Sequence, residues 1–197
     1  MYEKYVKDAD ILLFKAPSFP KIGWFIATLS FSKYSHVGIA KIELGELYCI
    51  EFREFKRSRK YKVSDYLKEG AEIDVFRISP SVKQLEFDPD TDTVRVKKYI
   101  FDQNVVNHIL YHAEDMIGRK YSWSAIKDMV FTLLPFIRMF RSSNIGEKNG
   151  KNHVCSTFVS YLIRRYYVDP CQFLPDSYTK PGDLARSNII NYLFTLD

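Results

Sequence analysis

The sequence is poor in cysteine and has no long hydrophobic run. Its three cysteines are too few for a disulfide framework and have no metal-like spacing. The longest apolar segment, residues 129–140, is interrupted by Pro135 and Arg138 and is shorter than the ~18 residues that a membrane-spanning helix needs. The first ten residues, MYEKYVKDAD, carry charges where a secretory signal would be apolar. We therefore expect a cytoplasmic protein, although a phage or another carrier would also be able to deliver such a chain to a cell wall.

The composition is that of a folded domain with a mild positive charge. Hydrophobic residues make up 46% of the 197 residues, which is enough for a core without disulfides or metals. The net charge of +5 is small, and no nucleic-acid motif is present, so we expect no nucleic-acid partner. The one dense basic run, residues 53–62, fits either phosphates or an anionic membrane surface, or it is a solvated hairpin or loop, which is the commoner case.

The order of predicted elements favours an α+β fold in one domain that spans residues 1–197. Strand patterns dominate the first half and helical patterns the second, which distinguishes this chain from a doubly wound α/β fold. Strands are predicted at 10–14, 35–42, 47–52, 73–78 and 93–96, and helices at 24–31, 104–117, 154–167 and after Pro181. Asp183 is a candidate N-cap of the last helix.

The sequence gives no support for a bound metal or cofactor. The stretch 88–93, DPDTDT, begins like a calcium loop, but it lacks the glycine and the closing glutamate of such a loop, so a polar turn is predicted. His108 and His112 lie one helical turn apart, yet Ile109 stands where a zinc-dependent HExxH motif has its glutamate. We expect them on a solvated or half-buried helix face.

Cys155 is the cysteine best placed for nucleophilic catalysis. It stands at the start of the strongest predicted helix, where exposed backbone amides and the helix dipole stabilise a thiolate and an oxyanion. Cys49 falls in the middle of a predicted strand, and Cys171 follows a proline in a loop. A buried structural cysteine would give the same pattern at residue 155.

His36 and Glu51 are the candidate partners of this thiol. His36 lies on a strand face with the small residues Gly38 and Ala40, which would leave room for the Cys155 helix to pack close. The alternative is a buried core histidine whose hydrogen bonds are satisfied by its neighbours and which has no catalytic role. Glu51 ends the hairpin partner of this strand, and a carboxylate between Ile50 and Phe52 needs a partner such as His36. His153 is close to Cys155 in sequence but less well placed.

Six motifs occur together in an order that resembles a known superfamily. They are DILLF at 10–14, YSHVGIA at 34–40, YCIEF at 48–52, IGRKYSW at 117–123, VCSTFV at 154–159 and KPGDLA at 180–185. The set resembles the circularly permuted branch of the NlpC-type papain-like cysteine peptidases, the YiiX/YebB-like proteins, with lecithin:retinol acyltransferase-like enzymes as relatives. The resemblance spans nearly the whole chain. It implies a permuted papain-like fold, with a small antiparallel sheet or barrel packed against helices.

The resemblance also implies roles for individual residues. Cys155 matches the nucleophile, His36 the general base and Glu51 the residue that orients the base, in the permuted order in which histidine precedes cysteine. Tyr121, and Tyr34 and Ser35 next to the histidine, are the predicted substrate contacts. Segment 128–152 is a candidate lid or insertion, or plain core.

The expected activity is a cysteine hydrolase that cleaves a peptide amide or an ester through an acyl-thioester, without a cofactor. Two alternatives remain: acyl transfer or thioester cleavage on lipid acyl groups, and a binding module without turnover. The basic run and the apolar segment 129–140 favour acyl lipids slightly and suggest a peripheral membrane contact.

Overall fold

An antiparallel sheet is the main element of the computed structural model, which describes residues 3–17, 27–28, 31–53, 56–120, 154–172, 174 and 179–197. Its six strands are β1 (Ile11–Lys15), β2 (Tyr34–Glu43), β3 (Glu46–Glu51), β4 (Arg59–Lys62), β5 (Ile73–Ile78) and β8 (Ile190–Leu196). They are ordered β4-β3-β2-β1-β5-β8, so β4 and β8 are edges and the sheet is not closed into a barrel. Strands β6 (Ser81–Asp88) and β7 (Thr93–Ile100) form a separate hairpin.

Helices cover both faces of this sheet. They are α1 (Val63–Lys68), α2 (Gln103–Asp115), α3 (Cys155–Arg164) and α4 (Pro181–Ala185), preceded by a 3-10 turn at Glu3–Tyr5. Helices α2 and α3 pack on the face that carries Val37 and Ile39, whereas α1 packs on the face that carries Leu12 and Cys49. Because β2 lies between these two layers, it is buried from Tyr34 to Ala40 without the alternation of a half-exposed strand.

The predicted α+β class is confirmed, and the open sheet replaces the barrel alternative. Strands β1, β2, β3 and β5 agree with the predicted strands within one or two residues, and the turn between β2 and β3 has Leu44 and Gly45 at positive φ. The polar stretch 88–93 is the turn of the β6–β7 hairpin, as predicted.

Several elements differ from the prediction. Strands β4, β6 and β8 and helix α1 were not predicted, and helix α3 ends at Arg164 because the chain turns at Tyr167, whose φ is +61°. The N-cap of α4 is Lys180, not Asp183. Asp183 is the third helical residue, and its carboxylate accepts the Lys180 backbone N–H at 3.0 Å. The predicted helix at 24–31 falls largely, and the segment 128–152 wholly, outside the described residues.

Candidate active site

The register of β2 and β3 brings His36 and Glu51 to the same face of the sheet. Gly38 is directly opposite Glu51, and His36 precedes Gly38 by two residues, so His36 and Glu51 are diagonal neighbours. The His36 Nε2 and Glu51 Oε2 atoms are 2.7 Å apart. The pairing expected from the sequence is therefore present in the structure.

Gly38 permits the close approach of these two strands. A Cβ atom at this position would lie 2.8 Å from the Ile50 carbonyl oxygen and would overlap the Cys49 sulfur. The expectation that the small residues of β2 make room for the Cys155 helix is wrong at this position, because the neighbouring strand β3 occupies the space.

Glu51 is fully buried and is held by a second set of donors behind it. Its Oε1 atom accepts a hydrogen bond from Arg59 Nε at 2.9 Å and another from the Tyr66 hydroxyl. Arg59 also donates to the Tyr66 oxygen at 2.7 Å, so the two side chains brace each other. Burial alone would raise the pKa of Glu51, but the charge and hydrogen bond of His36, with the bonds from Tyr66 and Arg59, lower it well below its usual range.

His36 is a buried imidazole with one ring nitrogen engaged. Burial acts to lower its pKa, but the Glu51 carboxylate and an interaction with the Cys155 side chain outweigh this and raise the pKa well above its ordinary value. The ring packs against Phe14 at a centroid distance of 5.1 Å. Its Nδ1 atom makes no hydrogen bond within the described part of the chain. One side of the ring is thus fixed by Glu51, whereas Nδ1 is buried.

Cys155 is the first residue of α3. The helix start is fixed by Thr157, whose Oγ1 accepts the Val154 N–H at 2.8 Å. The first intrahelical bond runs from the Phe158 N–H to the Val154 carbonyl at 3.0 Å. The Cys155 N–H therefore precedes the helical hydrogen-bond ladder, as the first N–H groups of a helix do. Cys155 and His36 remain slightly accessible, with 6% and 7% of each residue exposed.

Two structural contacts hold this helix start in place. The Ser156 hydroxyl donates to the Thr179 carbonyl at 2.6 Å, which ties α3 to the segment before α4. Gly182 in α4 then lies so close to the turn before β2 that an added Cβ would be 2.5 Å from the Ser32 side chain. The KPGDLA motif thus connects the cysteine helix to the histidine strand.

The other candidate residues are placed differently. Cys49 is fully buried, and this burial raises the pKa of its thiol well above the ordinary value. Cys171 is buried in a turn, and no cysteine forms a disulfide. On α2, His108 is exposed and His112 half-buried, as expected from the sequence. His153 and Tyr121 lie outside the described residues.

The predicted substrate contacts Tyr34 and Ser35 are both buried beside His36. The Tyr34 hydroxyl donates to Asp74 Oδ2 at 2.6 Å, and the same carboxylate binds Lys33 at 2.8 Å and the Thr195 hydroxyl at 2.6 Å. The hydroxyl of Tyr34 therefore belongs to a network that joins β2, β5 and β8. A contact of these residues with substrate stays a prediction.

The basic run contributes to this site, and the sequence did not predict how. Arg59 binds Glu51, while Lys60 and Lys62 pair with Glu43 and with Glu46 on the neighbouring strands. Residues 59–62 are RKYK, with a single aromatic residue among basic ones, which gives no clear strand pattern. These three charges are neutralised within the sheet.

The fold is similar to that of a solved protein. The chain superposes on the crystal structure of the metalloprotein YiiX from Escherichia coli O157:H7 with a TM-score of 0.58 and 11% sequence identity, over 96% of this chain and 97% of YiiX. No protein-family model and no curated protein matches the chain. The likeness supports the YiiX-like fold that the ordered motifs imply.

The comparison does not assign a metal to this chain. Across the described residues, no three His, Cys, Asp or Glu side chains are grouped so that they fit a metal ion. The same part of the chain has no helix that is both long and apolar enough to cross a membrane.

Proposed function

We propose that this chain is a cysteine hydrolase that cleaves an amide or ester bond through an acyl-thioester on Cys155. One observation carries the proposal: Glu51 fixes the His36 ring through Nε2, and the Cys155 side chain at the start of a helix contributes to the raised pKa of this ring. Nucleophile, base and orienting group are the three parts that thiol catalysis needs.

The first half of the reaction forms the thioester. The Cys155 thiolate attacks the substrate carbonyl carbon, a carbon–sulfur bond forms, and the bond from that carbon to the leaving nitrogen or oxygen breaks. The raised pKa of His36 means that the ring carries a proton at neutral pH, and it gives this proton to the leaving atom. The N–H of Cys155 donates a hydrogen bond to the developing oxyanion.

The second half releases the acid. Neutral His36 accepts a proton from water as the water oxygen attacks the thioester carbon, and the carbon–sulfur bond then breaks. The products are the carboxylic acid, the thiolate and the protonated imidazole, so the starting state is restored. Throughout both steps Glu51 fixes the orientation of the ring and stabilises its positive charge.

The proposal is tested with p-nitrophenyl acetate, which needs no knowledge of the natural substrate. We expect a burst of p-nitrophenol and one acetyl group on the Cys155 peptide, identified by mass spectrometry. The burst should disappear in Cys155→Ala and in His36→Ala and persist in the matched control Cys49→Ser. An acetyl group on another residue, or a burst that survives Cys155→Ala, would contradict the mechanism.

The same assay separates hydrolysis from acyl transfer. Adding a primary amine to the acetylated protein gives acetate if water is the acceptor, and an acetamide if the site favours amines. A folded protein that never becomes acetylated would favour the binding-module alternative.

A further inference from the structure

The β6–β7 hairpin has two faces of different composition. The register places Ser81, Lys83, Leu85 and Phe87 opposite Ile100, Lys98, Val96 and Val94 on what we call the outer face. The alternating residues form the inner face: Val82, Gln84, Glu86, Asp88, Thr93, Arg95, Lys97 and Tyr99. All the carboxylates of the two strands are therefore on the inner face.

The inner face packs against the domain near one end of the hairpin and carries ion pairs farther out. Val82 is 1% exposed and belongs to the core beside α3, and Gln84 accepts the Asp169 backbone N–H at 2.9 Å. Farther out, Arg95 pairs with Asp88 and Lys97 pairs with Glu86, each at 3.2 Å. The inner face thus fixes the hairpin to the domain and balances its own charges.

The outer face is apolar and solvent-exposed. Leu85 and Phe87 are each 58% exposed, and the residues opposite them, Val96 and Val94, are 64% and 61% exposed. Ile100 continues the same face at 64% exposure. A cluster of large exposed apolar side chains of this kind is a candidate interaction site.

Two lysines give this apolar surface a defined charge. Lys83 and Lys98 are paired directly across the strands, and like charges in that position repel each other. Neither has an ion-pair partner among the described residues, and no acid shares their face. An anionic partner would relieve this repulsion.

We propose that the outer face docks on a membrane surface that contains anionic phospholipids. The cross-strand pairs Leu85/Val96 and Phe87/Val94 enter the boundary between headgroups and acyl chains, while Lys83 and Lys98 reach the lipid phosphates with their alkyl stems along the apolar surface. A phospholipid layer supplies both the apolar and the anionic chemistry that this face requires.

The turn of the hairpin indicates the orientation of this contact. Asp90 and Asp92 are exposed at the turn, so its tip is unsuited to entering an anionic surface. The hairpin therefore lies with its outer face along the membrane and its tip in water. This inference does not depend on the proposed catalytic activity.

Vesicle flotation of the full chain tests the proposal. We expect binding to phosphatidylcholine vesicles that contain about 30 mol % phosphatidylserine, little binding to phosphatidylcholine alone, and loss of binding at high salt. The double variant Lys83→Gln/Lys98→Gln should bind about 30-fold more weakly, from the usual contribution of each lysine near such a surface. The matched control Lys4→Gln/Lys7→Gln removes two exposed lysines outside both the hairpin and the basic run 53–62, and it should bind like the wild type.

A second variant tests the apolar part. Leu85→Thr/Val96→Thr keeps strand-forming residues at exposed positions, so unfolding curves should not change, while vesicle binding should fall. Equal binding to both vesicle types, or an unchanged affinity of the lysine variant, would overturn the proposal. Absence of vesicle binding together with a dimer in sedimentation that Leu85→Thr/Val96→Thr dissociates would assign the face to a second copy instead.

Discussion

Replacing Glu51 with glutamine should have a large effect on stability, because its carboxylate is fully buried and serves three donors. These donors are His36 Nε2, Arg59 Nε and the Tyr66 hydroxyl. Glutamine has the same shape, but it carries no charge, and its amide nitrogen must face one of these donors. Removing one partner of a buried charge pair costs about 3–5 kcal/mol. We expect Glu51→Gln to lose about this much free energy of unfolding at neutral pH.

Urea unfolding followed by circular dichroism measures this loss. The matched control is Glu46→Gln, which removes an acid from the same strand where its side chain is 52% exposed and paired with Lys62. Exposed ion pairs contribute little to stability, so the control should unfold like the wild type. If Glu51→Gln also unfolds like the wild type, the proposed buried Glu51–His36 pair is wrong.

The pH dependence of the difference in free energy of unfolding between wild type and Glu51→Gln gives an independent check. The pKa of Glu51 is lowered from 4.5 by folding, so its contribution is present above pH 4.5 and is lost as the pH falls through the folded value. The pKa of His36 is raised from 6.5, so its contribution is complete below pH 6.5 and is lost as the pH rises through the folded value. The stability difference between wild type and Glu51→Gln should therefore be largest between pH 4.5 and pH 6.5. A difference that is constant with pH would contradict the pairing.

The remaining predictions concern the residues around this pair. Tyr66→Phe and Arg59→Ala each remove one donor from Glu51, and each should lower the free energy of unfolding and the acetylation rate less than Glu51→Gln does. Because the Glu51 carboxylate is then less neutralised, NMR should show the His36 titration shifted toward higher pH in both variants. Gly38→Ala should cost about 1–3 kcal/mol in urea unfolding, because its methyl group would meet β3. Cys49→Ser should leave the acetylation burst intact; its loss in a folded protein would mean that the wrong thiol was chosen.

The sequence predicted the elements of the site better than their contacts. Cys155, His36 and Glu51 could be selected as candidates because each stands in a recognisable local pattern: a helix start, a strand with small residues and a strand end. The β2–β3 register was not predictable, since it depends on strand pairing, and this register makes His36 and Glu51 diagonal neighbours.

The contacts that Arg59 and Tyr66 make with Glu51 could not be predicted either, and neither could strand β6. Arg59 lies in a run of basic residues that resembles a solvated loop, and only the pairing of β4 with β3 turns it toward Glu51. Tyr66 lies on α1, a six-residue helix too short to give a clear periodic signal. The hairpin strand β6 alternates apolar and polar residues, but both of its faces contain apolar side chains, which obscured the pattern.

The most direct test of the central claim is the pH dependence of iodoacetamide alkylation at each of the three cysteines, followed by mass spectrometry. An imidazolium beside a thiol favours the thiolate. At mildly acidic pH we therefore expect Cys155 to react faster than the other two cysteines, and we expect His36→Ala to abolish this advantage. Buried Cys49 should react only on unfolding. If Cys155 reacts no faster than Cys49 and Cys171 in the folded protein, or if His36→Ala leaves its rate unchanged, the thiol and the imidazole do not act together and the proposed hydrolase mechanism is contradicted.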